Sequence, residues 1–306
     1  GLLMNVRMVN AVFEDAGRPS LIDPEANTAR FLARIPEYVG WGVRAFTLCL
    51  QGGYPGYEGA VNTAFHEDGS LEPRYMARVQ RVIGACDRAG AAVILGLYYQ
   101  RQDQYLRDEG AVEAGVVHAV EWLRALGARN VVLEIANEHN ARGFDHACLR
   151  EPEGVARLIR LAKATDPGLL VSASGVGDGR VDDAVGEAAD YILFHLNSTP
   201  HAEIPARIAE LKRFHKPLVC NEDRKLDAEG ARAAALCVEH GAGWGLMARE
   251  VNQYFPPFRF GGAGDDLVVY RAIRALTTPP EDERALAGYE EGRRVTLRGG
   301  SGRRDD

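Results

Sequence analysis

The chain has 306 residues, 46% of them hydrophobic and 26% charged, with 43 acidic against 36 basic side chains and a formal net charge of −7. That length gives one large buried core, so no metal or disulfide staple is needed for stability. The acidic balance argues against a nucleic-acid partner, which needs a basic face for phosphates, and no apolar run approaches the roughly 20 residues of a membrane span. The cysteines, Cys49, Cys86, Cys148, Cys220 and Cys237, form no C-x-x-C pair and read as small hydrophobes in a reduced core. No signal peptide is read at Gly1, and the compartment, cytoplasmic or secreted, stays open.

Short apolar runs alternate with longer amphipathic stretches along the chain. A first strand is expected over Val6 to Phe13, running into Glu14-Asp15-Ala16-Gly17-Arg18-Pro19. A helix from Glu25 to Val39 follows Pro24, with Phe31, Leu32 and Ile35 on one face. Strands two and three are expected over Val43 to Leu50 and Ala91 to Tyr98. The helix from Ala111 to Leu126 repeats Val112, Val116, Val120 and Leu123 at helical spacing and stops at Gly127. Strand four is Val131 to Ala136, a helix spans Val155 to Ala164, and strands five and six are Leu169 to Ala173 and Tyr191 to His195. Helix Ile204 to Phe214, strand Pro217 to Cys220, helix Ala228 to His240 and strand Trp244 to Ala248 complete the series.

Each run is nearly continuously apolar, as in a parallel strand covered on both faces. Eight strand-then-helix units predict an α/β fold, a (β/α)8 TIM barrel over residues 1–277. The rival, a doubly wound open sheet, calls for a G-x-G-x-x-G turn after strand one, and none is there. Residues 278–306, charged and Gly/Arg-rich, are expected to be an extension peripheral to the barrel. The longest non-periodic segments, Gln51 to Glu72, Asn137 to Glu151 and Arg249 to Asp265, all follow strands, and so belong to the C-terminal rim where barrels build active sites.

Two strands end alike: Val131 to Ala136 runs into Asn137-Glu138, and Pro217 to Cys220 runs into Asn221-Glu222. A carboxylate at a barrel mouth is costly for structure alone, because it is partly desolvated. Paired carboxylates suit glycosidic cleavage, where one group protonates the leaving oxygen and the other attacks or activates water.

On these residues the chain resembles the clan A retaining glycoside hydrolases, nearest in layout to the family 5, cellulase-like barrels. The resemblance rests on Leu133-Glu134-Ile135-Ala136-Asn137-Glu138 at strand four, Lys216-Pro217-Leu218-Val219-Cys220-Asn221-Glu222 at strand seven, and His195 ending strand six. It implies Glu138 as acid/base and Glu222 as nucleophile in a double displacement, with carboxyl groups about 5 to 5.5 Å apart. Departures accompany it: Thr47 stands where the family often has Arg, Tyr98 where it has His, and Asn197 where it has Tyr. Leu246-Met247-Ala248-Arg249-Glu250 lacks the Trp that commonly ends strand eight.

Substrate contacts are expected from Asn137, His195, Tyr98, Asn197, Gln51, Arg249, Glu250 and Tyr254. Asn137 suits a bond to the sugar 2-hydroxyl or a strand-end cap, and His195 suits a carboxylate or a satisfied core position. Glu134 reads as structural. Tyr54, Tyr57, Tyr99 and Phe255 are further stacking candidates, while Gln100, Arg101, Gln102, Asp103 and Asn252 add polarity to the rim. Such a set suits hydroxyl recognition, or an acidic sugar where the arginines face inward.

No cofactor is called for, and the expected partner is carbohydrate. A metal site at His139, Asp145 and His146 lacks a recognised spacing, and no lysine sits at the C-terminal end of a strand for Schiff-base chemistry. The competing function is a carbohydrate-binding barrel without turnover.

Overall fold

Parallel strands alternate with helices through the residues described by the computed structural model, 3–52 and 59–278. The order is β1 (Asn5–Arg7), α1 (Pro24–Gly40), β2 (Ala45–Cys49), α2 (Pro73–Arg88), β3 (Ala92–Tyr98), α3 (Glu109–Leu126), β4 (Val131–Ala136), α4 (Ala147–Arg150), α5 (Pro152–Thr165) and β5 (Val171–Ser172). It continues with α6 (Asp183–Ala188), β6 (Ile192–His195), α7 (Ile204–Leu211), β7 (Leu218–Glu222), α8 (Asp227–Glu239), β8 (Ala242–Gly243), β9 (Gly245–Leu246), α9 (Arg249–Asn252) and α10 (Leu267–Thr277).

The ladders close a TIM barrel. One run of pairing goes β5-β4-β3-β2-β1-β9 and the other β6-β7-β8, and every ladder is parallel. β8 and β9 are two pieces of one eighth strand: β8 pairs with β7, β9 pairs with β1, and Asp223 bridges to Leu246. Between β5 and β6 there is no ladder, and the Asp190 N–H donates to the Val171 carbonyl at 2.8 Å across that seam.

Period-two alternation sorts the side chains into two layers. Ala45, Ile94, Leu193 and Val219 pack together with Tyr191 inside the barrel. Their neighbours, such as Phe46, Leu95, Phe194 and Cys220, join the larger cluster between strands and helices. Helix ends follow their cap residues: Asp23 accepts from the Glu25 and Ala26 amides ahead of Pro24, Asp108 accepts from Ala111, and Gly127 at φ +68° ends α3.

Three expectations shift. Only Asn5–Arg7 pairs in the first strand, and the buried run to Phe13 leaves the sheet. There the Asn10 and Ala11 carbonyls accept from Asn27 Nδ2 and Thr28 Oγ1 of α1, so the run's apolar character serves helix packing. The eighth strand begins at Ala242, and Trp244 lies within it, buried, its indole N–H donating to Asp223 Oδ2 at 3.0 Å. α2 is a helix that the apolar periodicity did not single out, starting at Pro73 behind the cap Glu72. Tyr54, Tyr57 and 279–306 of the expected extension lie outside the described residues.

Candidate active site

Glu138 and Glu222 meet at the C-terminal mouth of the barrel. β4 ends at Ala136, and Glu138 follows in the left-handed region at φ +47°, a conformation costing a non-glycine residue on the order of 1 kcal/mol or more. It is fixed from three sides. The Glu138 amide donates to Ser174 Oγ at 3.0 Å, its carbonyl accepts from the Ala141 amide at 2.7 Å, and Gln100 Nε2 reaches the same carbonyl at 3.3 Å. Strain held this firmly at a strand end turns the Glu138 side chain to the recess.

β7 uses a different device. Its register against β6 shifts by one after Phe194, so that His195 faces Glu222. Strict alternation would send Asn221 and Glu222 to opposite faces. The irregularity lets Asn221 reach Glu134 inside the barrel while Glu222 reaches Arg7 and His195.

The carboxylates are bridged by one imidazole. His195 Nδ1 lies 3.0 Å from Glu138 Oε1 and 3.6 Å from Glu222 Oε2, and the ligand atoms of Glu138, His195 and Glu222 all lie within 4.8 Å of one another. Arg7 Nε lies 2.8 Å from Glu222 Oε2, and Arg7 NH2 donates to Asn137 Oδ1 at 2.6 Å. Asn197 Nδ2 donates to Glu222 Oε1 at 2.5 Å. Burial alone would raise the Glu222 pKa, but Arg7, His195 and the Asn197 bond outweigh it and hold the carboxyl below its ordinary value. His195, whose burial opposes protonation, is nonetheless pushed above its ordinary value by Glu222 and Glu138.

Beneath the pair, Glu134 ties the two Asn-Glu segments together. It accepts from Ser174 Oγ at 2.5 Å and from Asn221 Nδ2 at 3.2 Å, and burial raises its pKa despite Arg7 and His195 nearby. The structural expectation for Glu134 thus holds.

The recess above has a volume of about 170 Å³, lined by Tyr99, Gln100, Glu138, Arg142, Asn197, Glu222, Arg224, Met247, Arg249, Gln253 and Tyr254. Asn197, Arg249 and Tyr254 of the expected contacts are therefore brought together. Others are not. Tyr98 turns outward, packs on Phe65 and donates to the Val112 carbonyl of α3, whereas Tyr99, one residue on, faces the recess. Gln51 is buried, donating to Thr63 Oγ1 and the Gln102 carbonyl. Glu250 stands outside the lining, 3.2 Å from Arg249 Nε, and Asn252 holds Asp265 and the Phe260 amide. Asn137 is a buried link between Arg7 and Gln100, and His195 is fully buried, reaching the recess only through the carboxylates.

Arg7 was not among the expected site residues. It is the register partner of Thr47, so the guanidinium absent from the second strand is supplied at the same level by the first. Met247 occupies the end of the eighth strand, where the Trp was missing.

Among the described residues, Glu138, His195 and Glu222 form the one group with metal-ligand spacing. The guanidinium on Glu222 repels a divalent ion there and already supplies the positive charge. His139 and His146 do not converge: His139 Nε2 lies 3.2 Å from Asp182 and His146 Nδ1 2.9 Å from Asp103. A larger hollow of about 810 Å³ lies at the opposite end, where α2 and α3 finish, and offers a single acid, Asp87.

No family model matches the sequence, and no curated protein does. Solved structures do match by shape. A β-1,4-mannanase from the sea hare Aplysia kurodai aligns over 91% of this chain and 93% of its own, with a TM-score of 0.60 at 14% identity. A broad-specificity family 5 endoglucanase from Clostridium longisporum aligns over 90% and 97%, with a TM-score of 0.65 at 8% identity. The chain has the fold of the family 5 glycoside hydrolases. A xyloglucan-specific endo-β-1,4-glucanase from a metagenomic library, solved with cellotriose, matches at a TM-score of 0.61 and 12% identity over 90% of this chain and 96% of its own. At such identities the family 5 likeness covers the barrel scaffold, and the chemistry is argued from the residues at its mouth.

Proposed function

We propose that this chain is a retaining glycoside hydrolase, with Glu222 as nucleophile and Glu138 as acid/base. The observation that carries it is the carboxylate pair at the barrel mouth, its facing oxygens within 4.8 Å and bridged by His195. That spacing suits the short carboxyl separation of retaining enzymes, about 5 to 5.5 Å, better than the roughly 6.5 Å or more of an inverting pair.

The environments favour this division of labour. Arg7, His195 and Asn197 keep Glu222 ionised and fix both its oxygens, as a nucleophile requires. Glu138 is the more open of the two, 22% exposed against 6%, and is placed to exchange a proton with a leaving oxygen and later with water. Glu222 attacks the anomeric carbon as Glu138 protonates the departing glycosidic oxygen. Glu138 then deprotonates the water that releases the sugar from the Glu222 ester, restoring both carboxyl groups.

The test is hydrolysis of a panel of aryl glycosides and polysaccharides by wild type, Glu138→Gln and Glu222→Gln side by side. Loss of about 10²-fold or more in kcat in both variants, on any substrate the wild type cleaves, is the expected result. Cleavage unaffected by either change means that other groups do the chemistry.

A further inference from the structure

Three arginines from three separate rim loops converge on the recess: Arg142 after β4, Arg224 after β7 and Arg249 at the start of α9. The only acids lining it are Glu138 and Glu222. In a chain of net charge −7, this is a local reversal of sign.

The catalytic pair does not account for them. Glu222 has Arg7 as its buried counter-charge at 2.8 Å, and Glu138 has His195 at 3.0 Å. The third acid, Glu134, is satisfied by Ser174 and Asn221. Arg142 and Arg224 make no hydrogen bond or ion pair among the described residues, and both are exposed at the mouth. Arg249 is held in place instead: its guanidinium lies 5.1 Å from the Tyr254 ring, NH1 donates to the Tyr254 hydroxyl at 3.2 Å, and Nε meets Glu250. A braced arginine beside two uncommitted ones is a receptor for an oxyanion, because a planar guanidinium matches a carboxylate in a two-point fork.

We infer that the glycoside accepted at this site is anionic, a uronate whose carboxylate is held by Arg142, Arg224 and Arg249. The inference rests on the hydrolase reading, since it supplies the substrate class for the same recess. Neutral hydroxyls leave two of the guanidiniums without a partner of opposite charge. A sugar carboxylate satisfies them while its anomeric carbon faces Glu222. A sulfated sugar presents the same negative oxygens without the planar match.

The experiment is calorimetric titration of the full chain with methyl glycosides in matched pairs: glucoside and glucuronide, galactoside and galacturonide, with glucoside 6-sulfate as a third arm. The expected result is a uronide bound at least about tenfold more tightly than its neutral partner in one pair, a preference that weakens as ionic strength rises. Arg142→Gln and Arg224→Gln bring the ratio towards one, and Arg224→Lys keeps part of it. Both positions are exposed, so the substitutions leave the packed barrel alone. No pair favouring the uronide overturns the inference. A 6-sulfate bound more tightly than the glucuronide overturns the carboxylate and points to a sulfated sugar. Neutral aryl glycosides cleaved as well as uronides would sink this inference and leave the hydrolase reading intact. Uronide selectivity combined with turnover unaffected by Glu222→Gln would do the reverse.

Discussion

Arg7 is the main counter-charge of Glu222. It is fully buried, so its charge acts through little intervening solvent, and it holds both the carboxylate and Asn137. The Glu222 pKa is depressed, so the ionised form persists as pH falls through the ordinary carboxyl range near 4.3. Removing the cation raises that pKa. Arg7→Gln is therefore expected to move the acidic limb of the kcat/KM profile to higher pH, with a stability loss of about 3 to 5 kcal/mol from the uncompensated carboxylate. Arg7→Lys keeps the charge and should shift the limb less; equal limbs in all three proteins would contradict this role. A charged residue in an apolar strand signals that something is being neutralised, but only the closed barrel, which sets Arg7 Nε 2.8 Å from Glu222, tells what. Tyr98 was misplaced for a related reason: at a strand end, a shift of one residue exchanges the two faces, and Tyr99 faces the recess. The Asn-Glu pairs are legible because each terminates a short apolar run, a pattern that needs no register to read.

At the scale of elements, the site is held by contacts between strand ends. Ser174, just after β5, bonds both Glu134 of β4 and the Glu138 amide, and Glu134 bonds Asn221 of β7. Ser174→Ala leaves a buried acceptor and a strained amide without their partner. We expect a loss of about 1 to 3 kcal/mol in unfolding free energy, with kcat falling while KM stays near its wild-type value. A rise in KM alone would mean that Ser174 acts on substrate binding instead. The closing seam makes a second demand. A Cβ on Gly245 of β9 would lie 2.1 Å from Asn5 Oδ1 of β1, so Gly245→Ala displaces the buried Asn5 amide from the Cys220 carbonyl it donates to. A loss of about 1 to 3 kcal/mol is expected, read as a lower Tm; an unchanged Tm would mean that the seam gives freely. The start of the eighth strand is hidden in the sequence because Gly241, Gly243 and Gly245 carry no side chain, and at Gly243 the Leu3 backbone approaches closely.

The whole molecule is a scaffold whose alternating apolar runs predict eight strands, with closure favoured by the lack of a G-x-G-x-x-G turn after the first. β1 was overestimated because buried residues after Arg7 look alike whether they face a sheet or a helix. α10 packs on α8 and ends at Thr277, completing the helical layer. We propose that residues 279–306 are dispensable to it: a chain ending at Thr278 is expected to keep its Tm and activity, and a fall in Tm would show that the tail is part of the fold. No helix among the described residues is long and apolar enough to cross a membrane. On the proposed mechanism, Glu222 becomes covalently attached to the sugar. The most direct measurement is mass spectrometry of the peptides after incubation with 2-deoxy-2-fluoro glycosyl fluorides, the uronic acid forms included, which slow release of the intermediate. A fluorosugar adduct on the peptide carrying Glu222, formed in wild type and absent from Glu222→Gln, is the expected result; an adduct on any other residue would mean that Glu222 is not the nucleophile.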